Sequence, residues 1–148
     1  MHKKVFRLEK VLDFRHEMEK VCKSEFATAR HEYDQAMEQL QHEEERIDRV
    51  GTEFMDRQLE GIRAVELQMY SDYFSKKESD IKAQRQLVTD LDQTLMEKRE
   101  ILIDASRDKK VLEELKKKKF KAFKQDMADK ERAFLDELAL RNGGNSAI

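Results

Sequence analysis

Stepping along the chain alternately by four and three residues from Leu8 lands on Leu12, Arg15, Glu19, Cys22, Phe26, Ala29, Tyr33, Ala36, Leu40, Glu43, Ile47, Val50 and Phe54. Eleven of these fourteen positions, Leu8 included, are apolar or tyrosine. That spacing returns to one side of a helix every 3.5 residues and makes a heptad seam. A second series runs through Phe74, Lys77, Ile81, Gln84, Val88, Leu91, Leu95, Lys98, Leu102, Ala105, Lys109 and Leu112, with eight of twelve positions apolar. Beside it a stripe of Leu87, Ile101 and Leu115 is expected to widen the same face. Seams of this length require each helix to lie against another helix, and the lysines within them can carry their ammonium groups out to the edge.

Glycine decides whether the partner helix comes from the same chain. The 148 residues contain no proline and only four glycines, Gly51, Gly61, Gly143 and Gly144, so the stretches 1–50 and 62–142 lack both strong helix breakers. The segment between Gly51 and Gly61 is where the chain turns at least cost, and Asp56, Glu60 and Glu66 keep that region solvated. The prediction is an all-α fold, two long helices forming an antiparallel coiled-coil hairpin within one domain: a first helix over about 3–55, a turn region over about 56–70, a second helix over about 71–141 and a flexible tail at 142–148. Such a hairpin brings Leu8 to about the level of Leu112. Beyond Leu115 the second helix continues as a C-terminal overhang carrying Phe120, Phe123, Met127, Phe134 and Leu138.

Composition narrows the class. Charged residues make up 42% of the chain and apolar ones 39%, too few for a thick globular core, while a net charge of only -2 and the absence of proline oppose disorder. No run approaches the roughly 20 apolar residues that span a bilayer, and the basic stretch from Met1 to Lys10 lacks the apolar segment of a secretory signal. A single cysteine, Cys22, cannot form an internal disulfide. On these features a cytosolic chain is expected.

The chemical motifs of enzymes are absent. His16, His31 and His42 form no i,i+4 histidine pair and HExxH does not occur, so they read as solvated helix-surface residues and no metal site is expected. Cys22 falls on the seam as a buried structural thiol rather than a nucleophile. No GxxxxGK[ST], GxGxxG or GxSxG is present, which excludes the common nucleotide cradles and the nucleophile elbow. The cluster Glu43, Glu44, Glu45 lacks the glycine and ligand spacing of a calcium loop and reads as a solvated face. No cofactor and no small-molecule substrate are expected.

Four stretches carry a resemblance. "FRLEKVLDFR" from Phe6 to Arg15, the tyrosines Tyr70 and Tyr73 followed by Ile81, "RDKKVLEELKKKK" from Arg107 and "LDELALR" from Leu135 together resemble the flagellar export protein FliJ family over essentially the whole chain. The resemblance implies a non-enzymatic antiparallel hairpin, similar to the central stalk of rotary ATPases. Such a protein promotes assembly and activity of the hexameric flagellar export ATPase. It also contacts the cytoplasmic domain of the membrane export gate and handles export chaperones, in the cytoplasm and peripherally at the inner membrane of the flagellar base. The family's gate-binding strip maps onto Tyr70, Tyr73, Lys77, Asp80 and Gln84, although Lys77 and Asp80 are charged where the strip is more apolar. For the two tyrosines, packing under the turn is an equal alternative, since amphipathic rings suit both places. The competing class is a structural coiled coil: an injectisome stalk, or an unrelated dimeric coiled coil with nucleic acid or another coiled coil as partner.

The stretch "KKKKFKAFK", Lys116 to Lys124, has six lysines and two phenylalanines in nine residues. It could attract phosphates, but it has no arginine and no base-reading module, and no nucleic-acid partner is expected. A membrane-surface helix would need a continuous apolar face, which Asp126, Asp129 and Glu131 interrupt. Lys3, Lys4, Arg7 and Lys10 are expected near the level of Lys109, Lys110 and Lys116 to Lys119, setting like charges side by side at the open end of the hairpin. Lys116, Lys117, Lys118, Lys119, Phe120 and Phe123 are therefore the expected ATPase-binding residues, a basic ridge with aromatics that enters the mouth of a ring. A solvated helix face without a partner is the plain alternative.

Overall fold

The computed structural model describes residues 6–145. Two helices account for nearly all of them: α1, Glu9–Glu60, of 52 residues, and α2, Ala64–Asn145, of 82 residues. The link is three residues long, much tighter than the region of about 56–70 expected from sequence. α1 runs uninterrupted through Gly51, where a helix pays only about 1 kcal/mol for glycine. It stops where Gly61 takes φ of 101°, a left-handed conformation that side-chain-bearing residues rarely adopt and that commonly follows a helix C-terminus. α2 begins at Ala64, its first turn closed by the Leu67 N–H donating to the Arg63 carbonyl at 2.9 Å. Arg57 in the last turn of α1 and Glu66 in the first turn of α2 each complement their helix dipole, and they pair with one another at 2.8 Å. The tail expected from residue 142 is helical as far as Asn145, and residues 146–148 lie outside the described range.

Contacts divide the chain into two units. In the first, Lys20–Ile103, the two helices flank the turn. Here Cys22, Ala29, Ala36 and Ile81 are buried, with Phe26, Tyr33, Leu40, Ile47, Val50 and Phe54 half-buried along α1 and Phe74, Val88, Leu91, Leu95 and Leu102 along α2. The alanines let the backbones approach closely, so that the Gln84 side-chain amide reaches the Ala36 carbonyl at 3.0 Å. The second unit joins α1 up to Glu19 with α2 from Asp104. Its core is Leu12, at 3% exposure, with Ala105, Leu112 and Leu115 half-buried around it.

Every position of the first heptad series from Leu12 to Phe54 is buried or half-buried, as is every position of the second from Phe74 to Leu112. The accessory stripe behaves differently. Leu115 is half-buried, but Leu87 and Ile101 are 45% and 47% exposed, because each precedes a seam residue, Val88 or Leu102, and is turned by about 100° onto the flank. Pairing at the open end also reaches about one turn further along α2 than the expected level of Leu8 with Leu112, because the link at residues 61–63 lies further along the chain than that level requires. Glu9 meets Lys116, and Leu12 lines a groove with Glu113, Lys116 and Phe120.

Candidate functional site

Two surfaces correspond to the sequence-derived candidates, one in each unit. At the turn, Tyr70 and Phe74 from α2 close on Phe54 of α1, with ring centroids 4.9 Å apart for Phe54–Tyr70 and 5.7 Å for Phe54–Phe74. Tyr73 stands edge-on to Phe74 at 5.7 Å. The Tyr70 hydroxyl donates to Glu53 at 3.2 Å. Burial, together with the neighbouring Glu53 carboxylate, pushes the phenol above its ordinary pKa and keeps it a neutral donor. The Tyr73 hydroxyl oxygen is buried and has no hydrogen-bond partner among the described residues. Val50, Glu53, Arg57, Glu66, Met69 and the two tyrosines line a groove over this cluster.

The remaining strip residues separate into two kinds. Lys77 lies under the helix pair at 17% side-chain exposure, its ammonium 2.9 Å from Glu43 and 5.9 Å above the Tyr73 ring. The hydrogen bond from Lys77 and its charge hold the Glu43 carboxyl below its ordinary range. Gln84 is committed to the Ala36 carbonyl, and only Asp80 is fully at the surface. Tyr70, Lys77 and Gln84 thus contribute to helix pairing, and Tyr73 packs edge-on against Phe74 beside them.

At the open end, the expected apposition of like charges is largely replaced by pairs. Lys109 reaches Glu19 at 2.9 Å, with the Glu19 side chain only 8% exposed, and this contact raises the Lys109 ammonium above its ordinary pKa. Lys116 meets Glu9 at 2.8 Å, Arg15 meets Asp108 at 3.2 Å, and His16 lies 3.5 Å from Glu113. The reason is register: a lysine at a seam position of α2 faces an acidic seam or flank position of α1. Sequence reasoning passed over Glu9, Glu19 and Glu43 as counter-charges, although Glu19 and Glu43 already stand as the polar interruptions of the first series. Matching them with Lys109 and Lys77 was the available signal. Lys3 and Lys4 lie outside the described residues, while Arg7 and Lys10 are exposed.

The basic ridge itself stays at the surface. Lys117, Lys118 and Lys119 are exposed, Lys117 within 3.7 Å of Glu114 one turn earlier. Lys118 borders an apolar groove with Arg107, Lys110, Val111, Glu114 and Leu115. Phe120 and Phe123 are 44% and 36% exposed, and the Lys124 ammonium sits 5.3 Å over the Phe120 ring. Positive charge beside partly exposed aromatics can steer an acidic partner and then hold it by burial. Among the described residues no three His, Cys, Asp or Glu side chains gather as a metal would require, and no helix is long and apolar enough to cross a membrane. Cys22 is a free, buried thiol.

No curated protein and no solved structure matches the chain. The family model described as "Flagellar FliJ protein" matches residues 3–147, which includes both helices and both candidate surfaces. By that match the chain belongs to the flagellar FliJ protein family, as a coiled-coil, export-related protein of the flagellum.

Proposed function

We propose that this chain is the stalk-like regulator of the flagellar export ATPase, inserting its open end into the hexameric ring, favouring ring assembly and stimulating hydrolysis without catalysing anything itself. The observation that carries the reading is the family match over residues 3–147, which places the chain within flagellar export. The exposed ridge of Lys117, Lys118 and Lys119 beside Phe120 and Phe123 supports the choice of end. Lys116 adds to the local charge but is also tied to Glu9, so it has a part in helix pairing. The same reading assigns a contact with the cytoplasmic domain of the export gate to the turn region. There the outer edges of Tyr70 and Tyr73 and the carboxylate of Asp80 meet the gate, while Lys77 and Gln84 hold α2 in place behind them. Export chaperones are the third partner class, and the site of action is the cytoplasmic base of the flagellum, peripheral to the inner membrane.

The test is stimulation of the purified export ATPase. A triple variant Lys117→Glu, Lys118→Glu, Lys119→Glu leaves the Lys116–Glu9 pair intact, and is expected to slow association in a salt-dependent manner. Phe120→Ala with Phe123→Ala is expected to speed dissociation. Full stimulation by both variants, with helix content unchanged by circular dichroism, would reject the assignment of this end.

A further inference from the structure

Beside the turn, within the unit Lys20–Ile103, a groove of about 410 Å³ runs between the two helices, toward the small end of the roughly 300–1,000 Å³ that ligand clefts occupy. Val50 and the Tyr70 and Tyr73 rings, all half-buried, line it from within, and the Arg57–Glu66 pair at 2.8 Å lines the end nearest the link. Its two edges differ. On α2 the edge is apolar: Met69 is 66% exposed, and Val65, one turn earlier on the same side of the helix, is 71% exposed. On α1 the edge is acidic. Glu53 lines the groove, and at about 100° per residue Asp56 and Glu60 fall within about 60° of it, on the same flank. Glu53 accepts the Tyr70 hydroxyl, while Asp56 and Glu60 form no ion pair among the described residues.

This asymmetry specifies the occupant. Apolar surface on one edge and carboxylates on the other match a helix that lays an apolar face into the groove and carries lysine or arginine along one side of that face. From Glu53 to Asp72 the chain has five acids against Arg57 and Arg63, and Arg57 is held by Glu66. Further from the turn the same flanks carry Arg49 on α1 and Lys76 on α2, both exposed or half-exposed at the surface, so the acidic edge is confined to the roughly 10 Å from Glu53 to Glu60. That edge repels an anionic bilayer and an acidic segment alike. We propose that this groove is a docking site for a basic amphipathic helix of a partner protein. The apolar face of that helix lies against Val65, Met69 and the two tyrosines, and about two turns of its positive edge lie against Glu53, Asp56 and Glu60. The site differs from the gate contact proposed above. Both use the tyrosine rings, but the gate contact needs Asp80 and none of the three α1 acids, whereas this site needs those acids and not Asp80.

The probe is a fluorescein-labelled designed peptide of about 18 residues, with leucine at helical three- and four-residue spacing and lysine along one edge. It is titrated with the full chain in about 0.15 M salt, where distant charges are screened, and read by anisotropy. Binding is expected in the micromolar range, and should weaken at least about tenfold when the peptide's lysines become glutamates or its leucines are redistributed around the helix. Asp56→Lys with Glu60→Lys should weaken the lysine peptide at least about fivefold and strengthen the glutamate peptide. Asp80→Lys, which touches the gate contact alone, should change neither by more than about twofold. Val65→Ser with Met69→Ser should weaken binding at least about tenfold with helix content unchanged, since both side chains are exposed. No binding at up to about 500 µM chain, equal binding of the lysine and glutamate peptides, or binding indifferent to the changes at Val65 and Met69 or at Asp56 and Glu60 would each overturn the proposal. So would capture of phosphatidylglycerol vesicles, or self-association in sedimentation, that is lost with Val65 and Met69, because a bilayer or a second copy would then be the occupant.

Discussion

Glu43 and Lys77 show how much a polar residue can contribute inside an apolar seam. Each is a defect in its own helix's heptad series, yet at 2.9 Å from one another and about four-fifths shielded they satisfy each other's charge and select one register, since a shift along the seam would leave both uncompensated. The Glu43 carboxyl is held below its ordinary value of 4.5, so the folded state binds its proton less readily than the unfolded chain. Its contribution to stability is therefore present above pH 4.5 and is lost as pH falls through the lowered value. Glu43→Gln should lower Tm by a few degrees at pH 7 and by much less at pH 3, as read by thermal melts across that range. Lys109 has the opposite sign: its pKa is raised by Glu19, and its contribution holds through neutral pH and fades as alkaline pH passes the raised value. Tyr73 tests a different rule. Its buried hydroxyl is unpartnered, so Tyr73→Phe should leave stability unchanged or higher by up to about 1 kcal/mol in urea titrations, and a loss of that size would reveal a partner such as a bound water. Pattern reasoning marked the seam positions but did not pair their polar members, because pairing needs the register, and the register needs the turn.

The turn is where the two elements part from simple propensity. Gly51 and Gly61 look alike in sequence, and both mark places where a helix is weakened. They differ in what the backbone does. Gly51 lies inside α1 with nothing within 4 Å of where a Cβ would stand, whereas Gly61 holds φ of 101°. Gly51→Ala should therefore stabilise the chain by about 0.5–1 kcal/mol, and Gly61→Ala should destabilise it by about 1 kcal/mol or more, both measured by urea unfolding. Equal effects of the same sign would mean that the turn is not set by the left-handed residue. The heptad steps revealed both helices and their facing sides because a long period averages over local exceptions. The ends were less legible. A helix can cross one glycine at small cost, and the three-residue link contains neither asparagine nor proline to announce it, so the expected turn came out too wide and the expected level of Leu8 was off by about a turn.

At the scale of the whole chain, the helices are alike in secondary structure and unlike in what sustains it. Between residues 20 and 103 the amides belong to segments with buried side chains at every turn of the seam, and opening them exposes that apolar surface to water. Between residues 121 and 144 every side chain is exposed, and the helix rests on propensity and on exposed i,i+4 contacts such as Lys130–Asp126 and Arg141–Glu137. Those pairs contribute only a few tenths of a kcal/mol each, and a helix of that length without packing is marginal in water. Amide hydrogen exchange at low micromolar protein should therefore separate the chain sharply, with protection of at least about a hundredfold more in 20–103 than in 121–144. Adding the export ATPase should raise protection in 116–127 first if that end enters the ring, because burying the exposed parts of Phe120, Phe123 and Met127 adds apolar contact to this stretch of the helix. Protection in 121–144 as strong as around the turn, in a chain shown to sediment as one copy, would mean that propensity alone sustains this helix and that it has no need of a partner to order it.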